Sequence, residues 1–472
     1  MKRLIQLLAG VFVLEFFVIV ATVSMAHAAA RFLCAYGTDG DGLWSRLESQ
    51  HLVRTDVEGD LFVLGTDNDP DLWFTSLVRL DSDGESVWET DVESGHYKDL
   101  SLNLAGSIFV VGAFEEENKA GSFAVDAYDP GGLSLWQNRE VEGIGRNVVL
   151  DHQGNVIAVG YQGTGWFITN KYSNEGSLLW SVPHSTYIGL AECPGLGLYV
   201  DQKDNVYVSN KDASGRSLTV KYDPEGQLLW EDRMDDFDYG QGWKIVGDPT
   251  GGVFVVSSCE ADTCLAKYSE DGEAKVVVAD CGDSLGLIPP HLSIDADGNP
   301  VVACTKRSKN GGDPWGYTLV IKYDNDLNEM WTARFDDPEE KEIEAKDVIV
   351  DRYGNVYLMA QICTKLDWEF SCAGEWYFLT IKYNAEGEKL WAIDQSVAKN
   401  MSDNAAQEDG TIYALFYPHS GYPADYTGGF ALSPNLWPGA TDDDTSDDDD
   451  DTSDDDDQSS SDDDSDSAGC GC

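Results

Sequence analysis

Positive charge is the first thing this chain lacks. Its 472 residues carry 31 Lys and Arg against 85 Asp and Glu, a net charge of −54. Residues 441–467 hold 16 Asp and no Lys or Arg, which leaves −38 for the rest of the chain. A surface of that sign cannot neutralise phosphates, so nucleic acid is excluded as a partner. Docking on anionic lipid heads is disfavoured for the same reason. Histidine is scarce as well. The seven His form no H-x-H or H-x-x-x-H, and no pair of C-x-x-C knuckles exists, so no metal centre is expected. There is no C-x-x-C-H for haem attachment. No stretch of the repeats described below carries a 3.6-residue apolar period, which excludes a helix-pair solenoid.

What is present is a repeat. Residues 201–230, DQKDNVYVSNKDASGRSLTVKYDPEGQLLW, show one copy. It has a D-x-x-G/D turn, an alternating strand, a variable segment, a strand ending Lys-Tyr-Asp, a Gly-containing turn and a short strand ending in Trp. The first-turn position recurs at Gly59, Gly106, Gly154, Asp204, Gly251, Gly298, Gly354 and Gly410, at spacings of 47, 48, 50, 47, 47, 56 and 56 residues. The closing Trp recurs at Trp88, Trp136, Trp180, Trp230, Trp331 and Trp391, with Val276 in that place once. Gly permits the positive φ of a tight hairpin, and an Asp three residues earlier can bond the turn amides. A further short strand precedes each turn, as in Asn147-Val148-Val149-Leu150. Four strands in about 47 residues is the size of a propeller blade.

The two ends fit together. Residues 35–44 align without gaps on residues 221–230, so the chain past its leader begins with the last two strands of a blade. Residues 409–415 supply the first two. The expected fold is all-β: a single β-propeller of eight four-stranded blades with a composite N/C-terminal closing blade. Seven blades is the alternative count, because residues 430–437 also read as a third strand. The pattern D-x-x-G-N-V-Y-V followed by K-Y-D-x-x-G-x-x-L-W resembles bacterial outer-surface β-propeller repeats, the seven-bladed-propeller repeat group. It is also similar to the blades of pyrroloquinoline-quinone-type propellers. The resemblance covers residues 31–437 and implies a fold far more than an activity. The quinone enzymes characteristically carry adjacent cysteines, and no Cys-Cys dipeptide exists here.

Outside the repeats, residues 1–30 read as a secretory signal: Lys2 and Arg3, an apolar run at 4–23, then small residues. An uncleaved anchor is the competing reading of so long a run, weakened by Glu15. No membrane-spanning segment is then expected in the mature chain. Residues 438–467 read as a disordered acidic spacer, and residues 468–472 end the chain with Cys470 and Cys472, placed where an anchor would attach. The tail can gather calcium loosely; no other cofactor is expected. The protein is expected to be an exported monomer, at the cell surface, in the periplasm or outside the cell.

Candidate sites are few. Ten Cys in an exported chain point to disulfides. Cys259 with Cys264, and Cys363 with Cys372, bracket equivalent hairpin loops and are the expected pairs. Cys34, Cys193, Cys281 and Cys304 have no evident partner. Gly282-Asp283-Ser284-Leu285-Gly286 matches an esterase block, but no His stands in D-x-x-H after it, so it reads as a chance match. Asp295-Ala296-Asp297-Gly298-Asn299 is half a calcium loop and reads as a structural turn. Segments that vary between blades carry Trp73, Trp166, Trp243, Trp315, Trp368 and Trp376, candidates for sugar stacking or protein contact. The functional expectation is a non-catalytic propeller that binds protein or glycan. The alternative is an extracellular enzyme, either polysaccharide-active or quinone-dependent.

Overall fold

The structure is a computed structural model. It describes residues 31–418 with interruptions, the longest being 67–74, 186–195, 307–315 and 364–375. The signal segment, residues 430–437, the acidic tail, Cys470 and Cys472 lie outside the described residues, as do Cys193, Cys372 and 282–286.

The strands form eight four-stranded antiparallel sheets. Blade 1 spans 52–92, blade 2 spans 96–138, blade 3 spans 144–185 and blade 4 spans 197–233. Blade 5 spans 240–279, blade 6 spans 291–335 and blade 7 spans 342–395. Blade 8 joins the strands Ala398–Ala406 and Ile412–Pro418 to Arg31–Tyr36 and Gly42–Glu48. The closing pair is antiparallel, with Phe32 opposite Phe416 and Tyr36 opposite Ile412. Its innermost strand meets blade 7 on one side and blade 1 on the other, so the ring closes.

Burial follows position in the blade. Second strands are sandwiched between neighbouring blades, and Val156–Tyr161 is buried along its whole length. Such strands read as continuous apolar runs because both faces are covered. Fourth strands form the rim, and Leu178–Ser185 alternates half-buried with exposed. First strands surround the central axis. Among the described residues they insert apolar side chains between blades, including Val53, Leu100, Val148, Ile245, Leu292 and Val348.

The first turn is built on its Asp. Asp151 Oδ1 accepts from the amides of Gln153 and Asn155 at 2.9 and 2.8 Å, and its Oδ2 accepts from Asn155 Nδ2 at 2.8 Å. Asp201, Asp295 and Asp351 repeat this arrangement. The same Asp then neutralises the Lys that precedes the last Tyr of the third strand. Lys171 lies 2.9 Å from Asp151, Lys267 2.9 Å from Asp248 and Lys322 2.9 Å from Asp295. The Lys221–Asp201 pair is looser at 3.9 Å, with Tyr207 OH donating to that carboxylate oxygen at 3.1 Å. In blade 1 Arg79 takes the Lys place and binds Asp60. Blade 2 lacks both partners, having Asn103 and Ala127.

The charged pair also holds the next blade. Lys171 donates to the carbonyl of Pro224, Lys221 to Glu270 and Lys267 to Asn325, at 2.9–3.1 Å. Each acceptor lies in the strand-three-to-four turn of the following blade. The closing Trp aims its indole N–H at the same place. Trp180 donates to Pro224 and Trp230 to Glu270, and Trp88, Trp136 and Trp331 do likewise one blade on. The indole covers the turn Gly so closely that a Cβ on Gly176 would lie 2.6 Å from Trp136 Cδ2. That Gly also holds φ +86, so two independent constraints fix its identity.

Two turns depart from Gly. Asp204 holds φ 63 in the first turn of blade 4. Its carboxylate accepts from His152 N, His152 Nδ1 and Gln153 Nε2 of blade 3, at 2.9, 2.8 and 3.1 Å. Burial pushes this carboxyl up, but those bonds outweigh it and hold the group below the usual range. Leu327 holds φ 64 in blade 6 and departs from the repeated Tyr-Asp-x-x-Gly turn.

The Lys–Asp pairs carry a test. The side chains of Lys171 and Asp151 are 4% and 0% exposed. Lys171→Ala strands a buried carboxylate and should cost about 3–5 kcal/mol in denaturant unfolding. Adding Asp151→Asn should recover part of that loss, since Asn still accepts from the turn amides. Strictly additive costs would mean that the two residues are not coupled.

Candidate functional site

The hairpin turns between strands one and two and between strands three and four share one face of the disc. Their leading Asp carboxylates and several of their carbonyls are engaged in the bonds just described. The binding capacity of the scaffold therefore lies around the axis and on the opposite face.

Around the axis a register position recurs four residues before each first-turn Asp or its equivalent. It is held by Leu52, Asp99, Asn147, Gly197, Lys244, His291, Asp347 and Asp403 in blades 1 to 8. In blades 2, 3, 5, 7 and 8 the pairing register shifts immediately before it, at Tyr97/Asp99, Gly145/Asn147, Gly242/Lys244, Ala345/Asp347 and Met401/Asp403. Bulges of this kind bend a strand and re-aim its side chains, and they concentrate where sheets carry function.

Two groups result. On one side Arg54 binds Asp99 Oδ1 at 2.7 Å, and the amide of Val148 donates to Asp99 Oδ2 at 3.0 Å, tying blades 1, 2 and 3. Burial raises the Asp99 carboxyl, opposed by the Arg54 charge. On the other side Lys244 Nζ reaches past blade 6 to Asp347 Oδ1 at 3.0 Å, and His291 Nδ1 lies 3.6 Å from the same oxygen. His291 Nε2 is buried without a hydrogen-bond partner among the described residues. Burial drives the imidazole down to about 4, with Lys244 and Lys346 pushing the same way against Asp347. A neutral imidazole, an ammonium and a carboxylate thus meet at one wall. They can bind through hydrogen bonds. Among the described residues no three His, Cys, Asp or Glu side chains are placed to share a metal ion.

The candidate aromatics fall apart as a set. Trp166 opens the third strand of blade 3 on the free face and is 47% exposed, and Ile144, which opens the first strand of the same blade two strands away, is 40% exposed. Trp243 sits in the first strand of blade 5. It packs on the core between blades 5 and 6 and donates to Ser258 Oγ at 3.3 Å. Trp376 begins the third strand of blade 7, opposite Cys363. Trp73, Trp315 and Trp368 lie outside the described residues. A disulfide joins Cys259 to Cys264, and Cys363 is disulfide-bonded. A second bridge joins Cys281 to Cys304, for which the spacing offers no cue. The axial group was also missed. Its only trace in sequence is a polar residue at a fixed offset from six of the eight first turns.

No protein-family model matches the chain, and no curated protein matches it. Among solved structures it is similar to the C-terminal WD40 domain of Sif2, at 9% identity and TM-score 0.49, over 78% of this chain and 96% of that one. It is similar to the Dos1 propeller at 9% identity and TM-score 0.47, over 83% and 95%. It is also similar to a protein from Lactobacillus plantarum at 12% identity and TM-score 0.44, over 65% and 95%. At these values the likenesses add nothing to the sheet topology, and the eight blades themselves define an all-β propeller.

His291 gives a pH test. Its folded-state value, about 4, lies below its ordinary 6.5, so the unfolded chain takes up the proton first as pH falls. Its contribution to stability is complete above pH 6.5 and lost progressively towards about 4. His184, also lowered by burial, adds to the same slope. His291→Gln should flatten the fall in melting temperature across that window. An identical slope would contradict the burial.

Proposed function

We propose that this chain is an exported, non-catalytic binding propeller that takes a glycan or protein on the face opposite its hairpin turns. The Asp-rich residues 441–467 hold the disc off a cell surface, and Cys470 and Cys472 are the point of attachment. The observation that carries the reading is the asymmetry of the disc. One face spends its turn carboxylates and carbonyls on holding blades together, whereas the other bears segments that differ from blade to blade. Trp166 and Ile144 stand exposed there. An amphipathic ring in an acidic setting suits stacking on a sugar or packing on a peptide. No catalytic constellation among the described residues supports the enzyme alternative.

The test is a glycan array probed with the mature protein, followed by titration of any hit with Trp166→Ala. An affinity loss of about tenfold with an unchanged melting temperature is expected. Equal affinity would contradict the use of this face, and a blank array would leave protein as the ligand class.

A further inference from the structure

In sequence, seven of the eight blade junctions match a fourth-strand Trp with a Gly in the next blade's strand-three-to-four turn. Five of these contacts are described above, and Trp44 with Gly84 and Trp391 with Gly40 complete the set in sequence. The eighth junction, from blade 5 to blade 6, has Val276 and Leu327 instead. Both departures therefore fall together. Without the indole there is no ring for a Cβ to strike, and Leu becomes sterically admissible despite its φ of 64.

The junction is rebuilt from other parts. Leu327 is 4% exposed and packs in the cluster shared by blades 5 and 6, while Val276 is 39% exposed and stands outside that cluster. Lys275 donates to the Asp326 carbonyl. Asn325 Nδ2 donates to Asp248 Oδ1 and to the Gly298 carbonyl, both at 2.9 Å. The covalent part is the bridge from Cys281 to Cys304. Cys281 follows the last strand of blade 5, Ala274–Ala279, and Cys304 lies in the second strand of blade 6, Pro300–Lys306. Both cysteines belong to the same cluster as Leu327. The Cys259–Cys264 bridge, by contrast, closes a hairpin inside blade 5 and crosses no junction.

We propose that the Cys281–Cys304 disulfide stands in for the missing Trp–Gly contact, so that the closed ring depends on an oxidised bond at this one junction. Lys267 still donates to the Asn325 carbonyl here, but in sequence this junction alone lacks the Trp–Gly pair, so the ring opens there first. A bridge across it keeps the two blades together and also restricts the unfolded chain over a separation of 23 residues. The dependence ties the fold to an oxidising compartment.

The full chain carrying Cys281→Ala and Cys304→Ala should melt about 5–10 °C below wild type. Adding Val276→Trp and Leu327→Gly should recover at least half of that loss by restoring the Trp–Gly contact. The same two substitutions added to Cys259→Ala and Cys264→Ala should recover none. If the alanine variant does not fold, folded wild type is treated with a phosphine and alkylated. The phosphine gives two electrons to the disulfide and takes an oxygen from water, leaving two thiols. Alkylation at 281 and 304 should accompany the same drop in melting temperature. Wild-type melting after loss of the bridge by either route would overturn the proposal, as would failure of the Trp–Gly pair to recover any stability.

Discussion

The recurring blade-to-blade contact turns on one carbonyl in the strand-three-to-four turn of the next blade. Indole and ammonium groups converge on that carbonyl, as Trp180 and Lys171 do on Pro224. An ammonium held at 4% exposure is tolerable only beside a carboxylate, and Asp151 supplies it. The carboxylate is itself fixed by the turn amides of its own hairpin. One Asp therefore shapes a turn, neutralises a buried Lys and, through that Lys, positions the neighbouring blade. Local turn chemistry and ring closure are the same interaction seen at two scales.

This economy divides the disc into unequal faces. The turn face commits the Asp residues that head its described hairpins and the carbonyls that receive Lys and Trp. The axial wall shares part of that duty, because Asp99 ties blades 1, 2 and 3, whereas the segments that vary from blade to blade lie on the opposite face. The axial groups at Lys244, His291 and Asp347 come from three different blades, and a bulge precedes Lys244 and Asp347 at the same register. A scaffold of this kind can vary its free face while its core repeat stays constant.

Much of the fold was legible because the repeat states its own physics. The D-x-x-G turns, the alternating strands and the gapless match of residues 35–44 to 221–230 pointed to blades and to a composite closure. What stayed hidden needed the third dimension. Lys171 reads as a solvated charge until Asp151 and Pro224 are brought to it from two blades. Trp243 reads as a loop aromatic, but its strand turns it onto the core between blades 5 and 6. Cys281 and Cys304 are separated by a whole inter-blade connection, so hairpin logic could not pair them. His291 and Asp347 lie 56 residues apart and meet only because successive first strands pack side by side.

The central claim is that the junctions couple all blades into one cooperative ring. Hydrogen exchange at the indole N–H of Trp88, Trp136, Trp180, Trp230 and Trp331 tests it most directly, because each of these protons is a junction bond. The account predicts that all five exchange with one common free energy, equal to that of global unfolding. Five separate values, each well below the global one, would show blades opening independently and would contradict it.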